Sequence, residues 1–83
     1  MDPISSIVKT YILAEFLPGA DAGELTESTP LITGGILDSI AILQLVAFLE
    51  EQYGIVVEPH EAGIDYLDTL AQIAQLVRSK APR

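Results

Sequence analysis

Ser39 has the clearest setting for chemistry in this sequence. It follows Asp38 and two glycines, Gly34 and Gly35, and it precedes the apolar run IAILQLVAFL. A serine hydroxyl becomes a nucleophile when a neighbouring base takes its proton. At the start of a helix the same oxygen could instead carry a phosphate ester, which the helix dipole stabilises by about 0.3–1 kcal/mol. The sequence therefore leaves two kinds of chemistry open for Ser39.

Nucleophilic catalysis lacks the residues that it needs. The only histidine is His60, and no G-x-S-x-G pattern surrounds Ser39. A lone histidine in a polar turn is typical of a solvated surface residue, and acidic pairs such as Asp65 and Asp68 are typical of hydrated helix faces. The sequence also has no cysteine, no glycine-rich phosphate loop and no metal-ligand cluster. We therefore expect a protein that is not an enzyme and binds no metal, and a small serine hydrolase is disfavoured.

A structural role is the simplest alternative for the same residues. Either Asp38 or Ser39 could cap the helix by accepting hydrogen bonds from its first N–H groups. The glycines would then only let the loop turn sharply. On this alternative the protein is a helical interaction adaptor, and Ser39 is only a helix cap.

A first helix and a long loop precede this site. Asp2 is a good helix cap, Pro3 suits the first helical position, and Pro18 and Gly19 end the helix. From Pro18 to about Leu37 no period is sustained, which predicts a loop of about 20 residues. The apolar residues of this loop predict that it is ordered and packed. They are Leu25, Leu31, Ile32, Ile36 and Leu37, and the apolar stripe of the first helix is Ile4, Ile7, Val8, Tyr11 and Ile12.

The segments after the second helix predict one short and one long helix. A short helical turn is expected over residues 59–65, and a last helix is expected after a cap at Asp68 or Thr69. The segment IVVEP has no partner strand and is predicted to be a connector. We therefore predict an all-α bundle of three long helices plus one short helix, in a single domain of residues 1–83. The buried stripe of the last helix is Leu70, Ile73, Ala74 and Val77.

The second helix, expected from about Ser39 to Tyr53 before Gly54, is apolar on two faces. One is the expected core face, and the second lies about 130° away around the helix. A bundle of 83 residues cannot bury both faces, so the second is predicted to be a docking surface. The alternative is that the long loop covers it with Ile36 and Leu37. The core face is Ile42, Leu45, Val46, Leu49 and Tyr53, and the second face is Ile40, Leu43 and Ala47.

The charge balance restricts the partners. The chain has 4 basic and 12 acidic residues and a net charge of −8, which opposes binding to nucleic acid or to an anionic membrane. The N-terminal segment MDPISSIVKTYILAEF does not resemble a signal peptide, and no apolar stretch reaches the roughly 18 residues that span a bilayer. We therefore expect a cytoplasmic, monomeric protein that binds neither nucleic acid nor membrane.

The segment GGILDSIAILQLVAFLEEQYGI resembles the Asp-Ser-Leu region of acyl and peptidyl carrier proteins. Asp38, Ser39 and Ile40 stand in the motif positions. The family pattern continues with an acidic pair, then with the aromatic residue Tyr53, and then with Gly54. The likeness covers almost the whole chain, because the order of helices and the long loop also match. The resemblance implies the four-helix fold of this family.

The resemblance also implies a cofactor and a set of partners. Ser39 would be esterified by 4′-phosphopantetheine, which a Mg²⁺-dependent phosphopantetheinyl transferase takes from coenzyme A. The thiol of this arm would carry an acyl or aminoacyl thioester from an adenylating ligase to downstream tailoring or condensing enzymes. Asp38 would assist contacts with the transferase, and the second face of Ile40, Leu43 and Ala47 would dock partner enzymes.

Details of the motif distinguish branches of the family. Ala41 and Gln44 stand where fatty-acid carriers have acidic residues, and the segments STPLITG and GILDSI are similar to stand-alone D-alanyl and prolyl carriers. The Gly-Gly-x-Ser pattern of many peptidyl carriers in large synthetases is absent. The resemblance therefore implies a stand-alone aminoacyl carrier, with an acyl carrier for polyketide or fatty-acid synthesis as the alternative. Because an aminoacyl cargo is small and polar, we expect the arm to swing freely.

Overall fold

Four α-helices form the fold of the residues that the structure describes. The computed structural model describes residues 2–80, and no strand occurs among them. The helices are α1 (Pro3–Phe16), α2 (Ser39–Tyr53), α3 (Ile64–Leu67) and α4 (Leu70–Lys80), with two 3₁₀ turns at Ala22–Glu24 and Pro59–Glu61. The predicted all-α bundle of three long helices plus one short helix is confirmed. The segment IVVEP is a connector, as expected.

The short helical segment differs from its predicted bounds. The single turn expected over residues 59–65 is a 3₁₀ turn followed by α3, which ends at Leu67. Gly63 separates the two in an extended conformation with φ of −147°, so the turns are not continuous. Leu67 is completely buried, and the additional residues of α3 carry this side chain into the core.

The ends of α1 and α2 follow from local capping. Asp2 Oδ1 accepts a hydrogen bond from the Ile4 N–H at 2.8 Å, with Pro3 at the start of α1. Arg78 in the last turn of α4 forms an ion pair with the same Asp2 carboxylate. Gly54 ends α2 with φ of 65°, a left-handed conformation that costs glycine no steric strain. These bounds agree with those predicted from the sequence.

The start of α4 uses only one of the two predicted caps. Thr69 Oγ1 accepts a hydrogen bond from the Gln72 N–H at 3.1 Å. Gln72 Oε1 in turn accepts hydrogen bonds from the N–H groups of Asp68 and Thr69, at 3.0 and 3.1 Å. The predicted cap at Asp68 or Thr69 is confirmed, and Thr69 is the residue that supplies it; the Asp68 carboxylate is turned toward the long loop.

The long loop contributes to the core as much as a helix does. Leu25 and Leu31 are completely buried, and Leu37 is almost so. The prediction of an ordered, packed loop is confirmed. In α4 the whole predicted stripe is buried, together with Leu76. The fully buried large side chains of the core are Val8, Ile12, Leu25, Leu31, Leu45, Leu49, Leu67, Leu70, Ile73 and Val77.

One position of the α1 stripe is wrong. The helical period places Ile7 in the core, but this side chain is 40% exposed. Ser5 is buried instead, and its hydroxyl donates a hydrogen bond to the Glu27 carboxylate at 2.7 Å. The Glu27 carbonyl also accepts a hydrogen bond from the Ala71 N–H at 3.2 Å, so the loop is joined to both α1 and α4. Helical period alone did not show which side of α1 the loop would cover.

Candidate functional site

The turn that leads to Ser39 requires both of its glycines. A β-carbon on Gly34 would collide with the carbonyl oxygen of Pro30. Gly35 has φ of +83°, a conformation that side chains disfavour. The pair therefore lets the chain reverse direction just before α2, as the sequence indicated.

Hydrogen bonds to Leu31 close this turn. The N–H groups of Ile36 and Leu37 both donate to the Leu31 carbonyl oxygen, at 2.9 and 2.8 Å. The Leu31 N–H donates to the Asp68 carbonyl oxygen at 2.6 Å, at the junction of α3 and α4. Because Leu31 is completely buried, the turn is fixed to the core on one side and to this junction on the other.

The side chain of Asp68 binds the same turn, in addition to its backbone carbonyl. Its Oδ1 accepts hydrogen bonds from the N–H groups of Ile32 and Thr33 at 2.8 and 2.9 Å, and the Thr33 hydroxyl donates to Oδ2 at 3.0 Å. The backbone hydrogen bond from Thr33, with that from Ile32, lowers the pKa of Asp68 below its usual value. Sequence reasoning missed this contact, because the partners lie in a distant loop; the only available signal was that Thr69 already supplied a cap.

Asp38 caps α2 and leaves Ser39 free of that role. Asp38 Oδ1 accepts a hydrogen bond from the Ala41 N–H at 2.8 Å. Ser39 is the first residue of α2, and its side chain is exposed. Ser39 as the helix cap, the premise of the adaptor alternative, is therefore wrong. The exposed hydroxyl at a helix start fits a phosphate ester, which would lie at the positive end of the helix dipole.

The two faces of α2 differ in burial. Ile40 and Leu43 are both 67% exposed, and Ala47 is also exposed. Leu37 points into the core and Ile36 packs partly against it, so the alternative in which the loop covers this face is wrong. The opposite face contains the completely buried Leu45 and Leu49 together with Ala41, whereas Ile42, Val46 and Tyr53 of the predicted core face are only partly buried.

His60 and Glu61, both in the second 3₁₀ turn, contact side chains of α3 and α4. His60 lies exposed in the second 3₁₀ turn, edge-on to Tyr66 with ring centroids 6.3 Å apart. Glu61 pairs with Lys80 at 2.8 Å, and the hydrogen bond from Lys80 is the main cause of a lowered Glu61 pKa. Within residues 2–80 no helix is both long and apolar enough to cross a bilayer. The cytoplasmic location stays a prediction.

A family model described as "Phosphopantetheine attachment site" matches residues 12–77, which is most of the chain. The match contains the whole turn, Asp38, Ser39 and α2 to α4 up to the last turn. The chain belongs to the phosphopantetheine-attachment family. This is the acyl and peptidyl carrier family, so the predicted cofactor, 4′-phosphopantetheine bound covalently, is confirmed. Domains of this family carry acyl groups and are not themselves catalytic, and they interact with phosphopantetheinyl transferases and with synthetic enzymes.

A solved structure adds a second comparison for this carrier domain. A chain in a structure described as "Crystal structure of FAD-dependent dehydrogenase" is 34% identical to it, with a TM-score of 0.75. The alignment covers 84% of this carrier domain and 97% of the other chain. No curated protein matches the sequence significantly.

Proposed function

We propose that Ser39 is the residue to which 4′-phosphopantetheine is attached, and that the protein carries an aminoacyl group on this arm. The exposed hydroxyl of Ser39 at the first residue of α2 is the observation that carries the proposal. Because Asp38 already caps the helix, the position of Ser39 is not explained by a role as a helix cap.

The attachment reaction uses the Ser39 hydroxyl as the nucleophile. Its oxygen attacks the phosphorus next to the pantetheine part of coenzyme A, and its proton passes to a base on the transferase. The bond between that phosphorus and the bridging pyrophosphate oxygen breaks, and adenosine 3′,5′-bisphosphate leaves. Because the base and the Mg²⁺ belong to the transferase, the Ser39 oxygen is the one reacting group that the carrier supplies.

The second face of α2 supplies the contact with partner enzymes. Ile40, Leu43 and Ala47 are exposed and lie within a few turns of Ser39 on the same helix. Apolar residues grouped in this way form the centre of protein–protein interfaces, and Asp38 supplies a charged residue at the edge. The same patch would serve the transferase, an adenylating ligase and downstream enzymes in turn.

An aminoacyl cargo is favoured over a fatty acyl cargo by the residues around the site. Ala41 and Gln44 lack the charge that guides recognition in fatty-acid carriers, and the turn containing Gly34 and Gly35 is similar to that of aminoacyl carriers. Ala41 is also almost completely buried, so this position offers little surface to a partner. An adenylating ligase would activate the amino acid with ATP and transfer it to the thiol of the arm.

The similar solved chain suggests the reaction that follows loading. Its structure is described as that of an FAD-dependent dehydrogenase. A thioester acidifies the hydrogens on the neighbouring carbon, so a dehydrogenase can remove a proton there and pass a hydride from the adjacent carbon to FAD. The product is an unsaturated aminoacyl thioester and reduced flavin. We propose a flavin dehydrogenase as one downstream partner of this carrier.

Loading of the arm tests the aminoacyl assignment. The full chain is modified with coenzyme A and a promiscuous transferase, then offered single amino acids with ATP and candidate adenylating enzymes, and separately malonyl and fatty acyl groups. Intact-protein mass spectrometry should detect an aminoacyl thioester that hydroxylamine removes. Loading only with malonyl or fatty acyl groups would contradict the aminoacyl assignment and favour the acyl-carrier alternative.

A further inference from the structure

The Asp68 carboxylate makes contacts that the start of α4 does not need. Thr69 Oγ1 accepts the Gln72 N–H and the Glu27 carbonyl oxygen accepts the Ala71 N–H, so two of the first N–H groups of α4 are satisfied without it. Instead, the carboxylate accepts the N–H groups of Ile32 and Thr33 and the Thr33 hydroxyl. A side chain from the α3–α4 junction thus binds the loop that precedes Ser39.

The loop segment that Asp68 binds is connected to Ser39 through a turn fixed by hydrogen bonds. Asp68 binds this segment through its carboxylate and also through its carbonyl oxygen, which accepts the Leu31 N–H. The Leu31 carbonyl accepts the N–H groups of Ile36 and Leu37, and Leu37 is only 3% exposed. The next residue is the cap of α2, and Ser39 follows it. The contacts of Asp68, at the α3–α4 junction, therefore fix the position at which α2 begins.

We propose that Asp68 is a positioning residue for the transfer of phosphopantetheine to Ser39. This inference rests on the proposed function of Ser39. By holding the turn, Asp68 keeps the Ser39 hydroxyl at the distance and angle from which it attacks coenzyme A in the transferase complex. Displacement of a reacting atom by about 1 Å can cost a reaction on the order of 100-fold.

Steady-state kinetics distinguish positioning from a general loss of stability. The carrier is the substrate of the transferase, so a partly unfolded variant lowers the concentration of usable substrate. That raises the apparent KM but leaves kcat at saturation unchanged. A displaced hydroxyl lowers kcat, because even the fully bound complex reacts slowly. Within residues 2–80 no hydrogen bond joins Asp68 to the docking residues of α2, so loss of its carboxylate should leave KM nearly constant.

The test compares three variants of the full chain, with coenzyme A and a promiscuous transferase. Asp68→Ala removes the carboxylate, whereas Asp68→Asn keeps an oxygen for the two N–H groups and an amide that can donate to the Thr33 hydroxyl. Glu61→Ala is the matched control, since Glu61 accepts the Glu58 N–H at 2.9 Å and pairs with Lys80 without touching the loop. We expect kcat to fall about tenfold in Asp68→Ala, with KM within about twofold, and to stay near the wild-type value in the other two.

The proposal would be overturned by an unchanged kcat in Asp68→Ala, or by an equal loss of kcat in Glu61→Ala. If Asp68→Ala does not fold, Thr33→Val removes only the side-chain donor, and kcat should fall about two- to threefold; an unchanged kcat there overturns the proposal as well. A wild-type chain that the transferase leaves unmodified would overturn the proposed function and this role with it. A modified wild type with a normal Asp68→Ala kcat would overturn the positioning role alone.

Discussion

Leu43 and Leu45 lie two positions apart on α2, and their surroundings are opposite. Leu45 is completely buried, whereas Leu43 is 67% exposed. The buried face is packed against the core, while nothing in residues 2–80 covers the exposed one. Because the two side chains are chemically identical, their burial decides which leucine stabilises the fold and which is available to a partner. The predictions below use this difference.

The largest expected effect is on the buried face. Leu45→Ala removes a completely buried side chain and leaves a cavity, which should cost about 2–5 kcal/mol of unfolding free energy. That is a large part of the stability of a domain this small. Urea denaturation followed by circular dichroism measures it. A midpoint equal to that of the wild type would show that Leu45 is not in the core.

A substitution on the exposed face should leave stability nearly unchanged and weaken the reaction with a partner enzyme. Leu43→Glu should change unfolding free energy by no more than about 0.5 kcal/mol, because the side chain is mostly in water. It should lower kcat/KM for a partner enzyme such as the transferase about tenfold, which corresponds to about 1.4 kcal/mol.

The matched control for Leu43→Glu is Val56→Glu. Val56 is 66% exposed but lies in the connector after α2, outside the proposed docking face. This variant should keep both stability and turnover. Equal losses of turnover in the two variants would show that the added charge, and not the α2 face, causes the effect.

A smaller effect on stability is expected from acid, through the turn that the Asp68 carboxylate binds before Ser39. The pKa of Asp68 in the folded protein is below its ordinary value of 3.8, mainly because the Thr33 and Ile32 N–H groups bind its charged form. The stabilisation is therefore present above the unfolded pKa and is lost as the pH falls through the folded pKa. Between about pH 5 and pH 3 the wild-type Tm should fall more steeply than that of Asp68→Asn. Parallel Tm curves would contradict the assignment.

Elements set by neighbouring residues could be predicted from the sequence. The bounds of α2 follow from Asp38 and Gly54, which act within one turn, and the exposure of Ile40 and Leu43 follows from the two-faced helical pattern. Features that depend on contacts between residues distant in sequence could not be predicted in this way. Asp68 looked like a helix cap because its loop partners are far away in sequence, and only the packing of the loop shows that Ser5, and not Ile7, faces the core.

The central claim is that the Ser39 oxygen is the attachment point, and localised mass spectrometry tests it most directly. Wild type, Ser39→Ala and Ser6→Ala are incubated with coenzyme A and a promiscuous transferase, then digested and fragmented; Ser6 is an exposed serine near the start of α1. The account predicts one phosphopantetheine on Ser39 in wild type and in Ser6→Ala, and none in Ser39→Ala. Modification of Ser39→Ala, or of any other residue in the wild type, would contradict it.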